Sequence, residues 1–206
     1  TKIKGLGFYR TRLRDLSGIK GMTWLESLSI AGHPTLIDID PIKNLTNLKT
    51  LNIEKCQIKD IKPLQRLAKL ETLNLTHNRI EVVPDLSALT KNKALSFYGN
   101  QLGDLTGIEK MTWLESLDIR LNGALTDITP IKNLVNLNTL LADTLKITDI
   151  SPIINLAKLE KAENLRLHSN QIQVIPDMSN LILVETLDLN ANRLVDIEGL
   201  RGMKFL

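Results

Sequence analysis

The sequence predicts an α/β solenoid: a right-handed coil with a parallel β-sheet on its concave side and short helical or 3-10 turns on its convex side. Three observations carry that prediction. One phrase of alternating apolar residues occurs nine times, beginning at Leu6, Leu28, Leu51, Leu73, Leu95, Leu117, Leu140, Leu165 and Leu187. Successive phrases are spaced by 22, 23, 22, 22, 22, 23, 25 and 22 residues. The sixth position of the phrase is most often asparagine, as in Leu73-Asn74-Leu75-Thr76-His77-Asn78-Arg79-Ile80. A fixed period in the twenties means that each repeat buries its apolar edge only by stacking on its neighbours.

The repeat at Leu51 shows how the elements follow one another. Leu51 and Ile53 share one face of a short strand, because strand side chains alternate with period 2. Asn52, Glu54 and Lys55 therefore lie on the outer face. Ile58 and Ile61 turn back into the core, and Pro63-Leu64 opens the return segment. Leu67 and Leu70, three apart, match one apolar stripe of a short helical or 3-10 turn. Stacked at about 4.8 Å, nine strands span roughly 40 Å. Strands sit closer together than the bulkier backs, so the sheet side is expected to be concave.

The sixth-position column reads Thr11, His33, Cys56, Asn78, Asn100, Asn122, Leu145, Asn170 and Asn192. Asparagine offers one acceptor and two donors, enough to satisfy backbone groups in its own and the adjacent turn. Left buried and unpaired, those groups would be costly. The column is structural, and Cys56, the only cysteine, reads as a small buried member of it. A lone cysteine forms no internal disulfide and leaves the redox compartment open.

The composition narrows the function classes. Apolar residues make up 43% and aromatics only 3%, so leucine and isoleucine must fill a narrow continuous core. The net charge of +3 is small for 206 residues, and 26 basic side chains are scattered among 23 acidic ones. With no basic block and no RNA-binding aromatic motif, nucleic acid is not an expected partner. No apolar run is long enough to cross a membrane, and the N-terminus lacks a signal-peptide core. Leu6 opens inside a repeat, and Gly202-Met203-Lys204-Phe205-Leu206 stops where another strand would follow. The expectation is a single domain over residues 1–206, a fragment of a longer array without the polar caps that solenoid ends need.

A longer period overlies the first. Leu16 to Ile53 aligns with Leu105 to Ala142 at an offset of 89, with 23 of 38 positions identical. The repeats are thus duplicated in blocks of four. Both copies carry a one-residue lengthening after the strand, at Gly32-His33-Pro34-Thr35 and Leu121-Asn122-Gly123-Ala124. After Leu159 the offset becomes 92, and the three extra residues near Lys161-Ala162-Glu163 predict a bulge or an extra helical turn on the convex side. Of twelve outward strand positions compared between the copies, eleven differ, Tyr9/Tyr98 being the exception. On the back, Glu26/Glu115, Lys43/Lys132, Asn44/Asn133 and Asn47/Asn136 are unchanged. Trp24 and Trp113 hold the same place in the block and are expected at equivalent back-side positions.

Leu45-Thr46-Asn47-Leu48-Lys49-Thr50-Leu51-Asn52-Ile53, followed by Ile58-Lys59-Asp60-Ile61-Lys62-Pro63-Leu64, resembles the 22-residue leucine-rich repeats of bacterial internalin-type surface proteins. Thr148-Asp149-Ile150-Ser151-Pro152-Ile153 carries the same pattern. The resemblance covers essentially the whole chain. Departures are Cys56 and Leu145 in the asparagine column, and the turns Val83-Pro84-Asp85 and Ile175-Pro176-Asp177. The resemblance implies a non-enzymatic recognition module of a secreted or cell-surface bacterial protein, active in adhesion, whose concave face binds a protein, for example one of a host. Similar repeats also occur in intracellular phosphatase-binding regulators, and a rigid spacer for a neighbouring domain is a third reading.

Chemistry is not signalled. His33, His77 and His168 fall in separate coils without metal-ligand spacing, and no phosphate loop, Cys-x-x-Cys or nucleophile elbow is present. Asp38, Asp60, Asp127 and Asp149 recur beside isoleucine as a repeated polar turn position. No cofactor, metal or catalytic residue is expected. Tyr98, Arg120, Asp143, Arg166 and His168 lie at outward positions of four neighbouring coils and should form one patch roughly 15 Å long. Tyrosine and arginine are enriched among interface hot spots. Tyr9 is the first-block counterpart of Tyr98, and its neighbours Ala31, Glu54, Asn74 and Thr76 make a plainer surface.

Overall fold

A computed structural model of the chain describes residues 2–159 and 165–203. Nine strands form one parallel sheet in strict chain order, with no strand inserted between sequence neighbours. They are β1 (Gly5–Gly7), β2 (Ser27–Ser29), β3 (Thr50–Asn52), β4 (Thr72–Asn74), β5 (Ala94–Ser96), β6 (Ser116–Asp118), β7 (Thr139–Leu141), β8 (Leu165–Arg166) and β9 (Leu187–Asp188). The register is that of the phrase, with Leu28 beside Leu51, Leu51 beside Leu73 and Leu117 beside Leu140. The sheet is open and curved, and its crossovers take the right-handed sense that parallel strands favour. The leucine column is buried throughout its middle, at 0% exposure for Leu28, Leu51 and Leu117 and 5% for Leu73.

On the back, the described residues form 3-10 turns and no α-helix. In the coil of β3 the 3-10 turn covers Lys62–Arg66, earlier than the Leu67/Leu70 spacing suggests. Pro63 sits in its first positions, where a missing N–H costs nothing. Leu67 and Leu70 are fully buried in the turns that follow. The recurring aspartates explain where these turns start. Asp38, Asp60, Asp127 and Asp149 each accept the backbone N–H two residues on, at 2.7–2.8 Å. Asp15, Asp104 and Asp196 do the same. The Ser17 and Thr106 hydrogen bonds hold the Asp15 and Asp104 carboxyls below their ordinary range.

Two coils break the rule, those of β4 and β8, where Val82 and Val174 stand in the aspartate column and no 3-10 turn forms. Their aspartate lies three residues later, and Asp85 and Asp177 bond to the N–H of Ser87 and Ser179. The flattened backbone of these coils is then met by a glycine in the next one. A Cβ on Gly107 would lie 2.1 Å from Val83 O, and one on Gly199 2.1 Å from Ile175 O. The Val-Pro-Asp turn and the following glycine are therefore one packing device.

Unchanged positions on the back tie coils together. Asn47 donates to Thr23 O at 2.8 Å, and Asn136 donates to Thr112 O at 2.6 Å. Glu26 receives both Lys4 and Lys49, which holds its carboxyl down to about 2. Trp24 and Trp113 both lie in the turn that leads into a strand, as their shared block position requires. The expected bulge near Lys161-Ala162-Glu163 lies outside the described residues.

One further column has no signature in residue type. At the fifth position of all nine phrases the backbone is left-handed, with φ between 51° and 77°. Only Gly32 and Gly99 are glycines; Arg10, Lys55, His77, Leu121, Thr144, Ser169 and Ala191 are not. A residue with a Cβ costs about 1–2 kcal/mol in this region, and a β-branched one is the worst case. Thr144→Gly is accordingly expected to stabilise the protein by about 1 kcal/mol after glycine's own entropy loss. Urea unfolding of the single variant measures it, and a destabilised variant would show that the corner carries no strain.

Candidate functional site

The asparagine ladder runs along one edge of the concave face, in the turns that leave the strands. Asn78 donates to Ile53 O at 2.8 Å and Leu75 O at 3.1 Å, and it accepts from Ile58 N at 3.1 Å. Asn100, Asn122, Asn170 and Asn192 repeat that triple pattern. His33 serves the same column, its ring nitrogens 2.9 Å from Phe8 O and 2.8 Å from Thr11 O. Cys56 is buried and its thiol donates to Ile30 O at 3.2 Å; burial raises its pKa.

Cys56 and Leu145 are tolerated for a shared reason. Each follows a lengthened turn, and the extra residue lets Leu36 N bond to His33 O and Leu125 N bond to Asn122 O. In the coils of β3, β4, β5, β7 and β8 that N–H takes the side-chain oxygen of the next asparagine. After a lengthened turn the acceptor is already supplied, so a thiol or a leucine suffices.

Beside this ladder, outward side chains in the coils of β4 to β8 form two adjoining clusters. In the first, Tyr98 stands half-buried between two neighbours. His77 meets its ring edge-on at 5.0 Å and 85°, and the Arg120 guanidinium lies 4.9 Å from the ring centre. Arg120 is itself clamped by Asp118, Nε to Oδ1 at 2.9 Å and Nη2 to Oδ2 at 2.8 Å. That clamp raises the arginine's pKa further. Gly99 makes the arrangement possible, because a Cβ there would lie 2.7 Å from His77 Nδ1.

The second cluster surrounds Asp143, a carboxylate only 5% exposed. Arg166 Nε lies 3.3 Å from its Oδ1 and His168 Nε2 lies 3.4 Å from its Oδ2. Oδ1 nonetheless lacks a directed hydrogen bond, so the Arg166 contact is charge attraction without alignment. Arg166 Nη2 is closer to His168 Nε2, at 3.2 Å, while His168 Nδ1 faces Ser169 Oγ at 3.1 Å. Nε2 therefore accepts from Arg166 when unprotonated and can donate to Asp143 when protonated.

A family profile described as two copies of leucine-rich repeats matches residues 46–91, and a single leucine-rich-repeat profile matches residues 110–128. Among solved structures, an internalin (InlF) from Listeria monocytogenes is 29% identical over 99% of this chain and 72% of its own, with a TM-score of 0.53. Internalin C2 from the same organism is 27% identical over 83% of this chain and 64% of its own, with a TM-score of 0.57. This is a leucine-rich-repeat protein that resembles the internalins. A plant relative in fold is the leucine-rich-repeat ectodomain of the Arabidopsis thaliana receptor kinase GASSHO1/SCHENGEN3, solved with CASPARIAN STRIP INTEGRITY FACTOR 2. It is 28% identical over 87% of this chain and 23% of its own, with a TM-score of 0.71. No curated protein sequence matches the chain.

In this leucine-rich-repeat coil the side chains named from sequence divide. Tyr98 and Arg120 touch; Asp143, Arg166 and His168 form the neighbouring cluster. Tyr9 is apart from both, in the coil of β1, with its own Arg10 at 5.0 Å and an exposure of 61%. Arg120 pairs along its strand with Asp118 rather than across to Asp143. His77, Gly99 and Asp118 complete the first cluster and were not singled out from sequence. Asp118 shares the second-position column of Arg166, which is the signal that would have found it, whereas His77 and Gly99 stand in the left-handed fifth column, where the sequence gives no such signal. No helix among the described residues is long and apolar enough to cross a membrane.

Proposed function

We propose that this leucine-rich-repeat chain is a non-enzymatic recognition module of a secreted or cell-surface bacterial protein, and that it binds a protein partner through the C-terminal half of its concave face. The observation that carries this is Tyr98, an aromatic ring held between His77 and Arg120, with Arg120 fixed by two bonds from Asp118. A hot spot whose rotamers are set before binding loses little entropy when a partner arrives. Leu121 and Leu141 add apolar area beside it, Leu121 at 40% exposure. The first block offers Ser29, Ala31 and Asn52 at the places of Asp118, Arg120 and Leu141. The likeness to internalins supports the surface location, and the partner-bound receptor ectodomain supports protein recognition as the role of the coil.

The test begins with a pull-down that identifies the partner. Tyr98→Ala combined with Arg120→Ala is then expected to weaken binding at least about a hundredfold, the scale of two central hot-spot residues. Lys43→Ala and Lys132→Ala on the convex side should leave affinity unchanged. Unchanged affinity in a folded concave double variant, with a loss from the convex pair, would move the site to the back of the coil.

A further inference from the structure

The lateral edge where the strands end and the coil turns toward its back carries a second contrast between the two blocks. On this edge the first block presents Arg10, Arg12, Arg14, Lys55, Lys59 and Arg79. All six are exposed. Their second-block counterparts are Gly99, Gln101, Gly103, Thr144, Thr148 and Gln171. Every cation has been replaced by a neutral residue, and the single opposite exchange is Gln57 to Lys146. The molecule thus contains its own comparison: one fold and one edge, with six cations in the first block and only Lys146 in the second.

Backbone ladders bring these side chains onto one stripe. Arg10 N bonds to Ala31 O, Gln57 N to Leu36 O, and Arg79 N to Ile58 O. Thr35 Oγ1 donates to Leu13 O at 3.2 Å, which lays the Arg12–Arg14 segment against the second coil. Lys55 and Lys59 pair with Glu54 and Glu81 at 2.7 and 2.8 Å. Arg10, Arg12, Arg14 and Arg79 have no ion pair among the described residues. Their charge is not neutralised within the coil.

Between the cations of the first coil and those of the third and fourth lies a hollow of about 540 Å³, lined by Pro34, Ile37, Gln57, Lys59, Asp60 and Arg79. Ile37 is 67% exposed there, an aliphatic side chain with nothing over it. In the second block Pro34 and Ile37 become Gly123 and Thr126, so the apolar floor disappears together with the charges.

We propose that this basic edge is a second interaction surface that docks an acidic polypeptide segment, with an apolar side chain of that segment seated on Pro34 and Ile37. Charge complementarity names the carboxylates: unpaired arginines on both sides of the hollow attract and align them. The apolar floor names the residue between them. A continuous phosphate backbone fits worse, because Asp60 and Glu81 interrupt the stripe and no aromatic ring lines the hollow to stack on a base.

The experiment uses the whole chain and a short fluorescein-labelled peptide with a central leucine flanked by runs of glutamate, read by fluorescence anisotropy. Binding is expected, weakening as salt rises. Arg12→Glu with Arg79→Glu should reduce it at least about tenfold. Ile37→Ser should reduce it several-fold for this peptide and not for one with serine at the centre. Lys146→Glu with Arg193→Glu, on the same edge in the second block and in the ninth coil that follows it, should have no effect. The Tyr98→Ala, Arg120→Ala protein should bind the peptide normally, which separates this surface from the concave one. If the charge reversal unfolds the protein, Arg12→Gln with Arg79→Gln replaces it. Equal loss in the Lys146, Arg193 pair would reduce the effect to net charge and overturn the proposal. So would unchanged binding in the first-block pair, or tighter binding of a DNA duplex or a sulfated glycan than of the peptide.

Discussion

Gly107→Ala is expected to cost about 3 kcal/mol, the upper range of overpacking a well-filled site. The clash is with backbone, Val83 O at 2.1 Å and Pro84 O at 2.2 Å from the new Cβ, so no side chain can rotate out of the way. Relief requires the β4 and β5 coils to separate, which breaks the bond from Leu86 N to Gly107 O. Gly18 occupies the same place in the block, and a Cβ there meets nothing within 4 Å. Gly18→Ala should therefore change stability by less than about 0.5 kcal/mol. At this chain length the difference corresponds to about 10 °C in the thermal midpoint. Indistinguishable midpoints for the two variants would mean that the Val-Pro-Asp coil does not rest on Gly107.

The second large effect belongs to the ladder. Asn100→Ala should cost about 4 kcal/mol, because it strands three buried backbone groups at once, the carbonyls of Leu75 and Phe97 and the N–H of Ile80. Cys56→Ala should cost only about 1 kcal/mol, since the thiol is a weak donor and Leu36 N is already satisfied by His33 O. The reverse exchange separates this account from simple preference for asparagine. Leu145→Asn should destabilise by about 2 kcal/mol, because Leu125 N is taken by Asn122 O and the new side-chain oxygen is buried without a donor. Urea denaturation of the three variants decides it. A stabilised Leu145→Asn protein would show that the lengthened turn does not replace the ladder.

The residues that make the fold legible are those whose role is set by period. Leu51 and Leu73 had to share a face, and Asn78 had to serve the turns, because spacing alone fixes direction in a strand and burial makes unpaired groups costly. The left-handed corner is not legible in the sequence because its occupants are as unlike as Leu121, Thr144 and Ala191. What holds it is the ladder on both sides, and no local residue choice records that. The shift of the aspartate in Val83-Pro84-Asp85 was visible as a departure, but its partner Gly107 lies a full coil away and only packing joins them. At the concave surface, period places Arg120 on the outer face but says nothing about rotamer. Asp118, two residues away on the same face, lies within easier reach than Asp143 on the next strand and takes the guanidinium.

The coupling between the Val-Pro-Asp coil and the glycine that follows it makes the coils non-interchangeable. Four junctions are keyed: a lengthened turn precedes Cys56 and Leu145, and the Val-Pro-Asp type of turn must be followed by a glycine, Gly107 or Gly199. Excising one coil would seat an asparagine where no donor awaits it, or a 3-10 turn where only bare backbone fits. Removing four leaves every junction as it was. The array can therefore lengthen or shorten in whole blocks, and the smallest heritable unit of reach along its axis is a step of about 19 Å, four strand spacings at once.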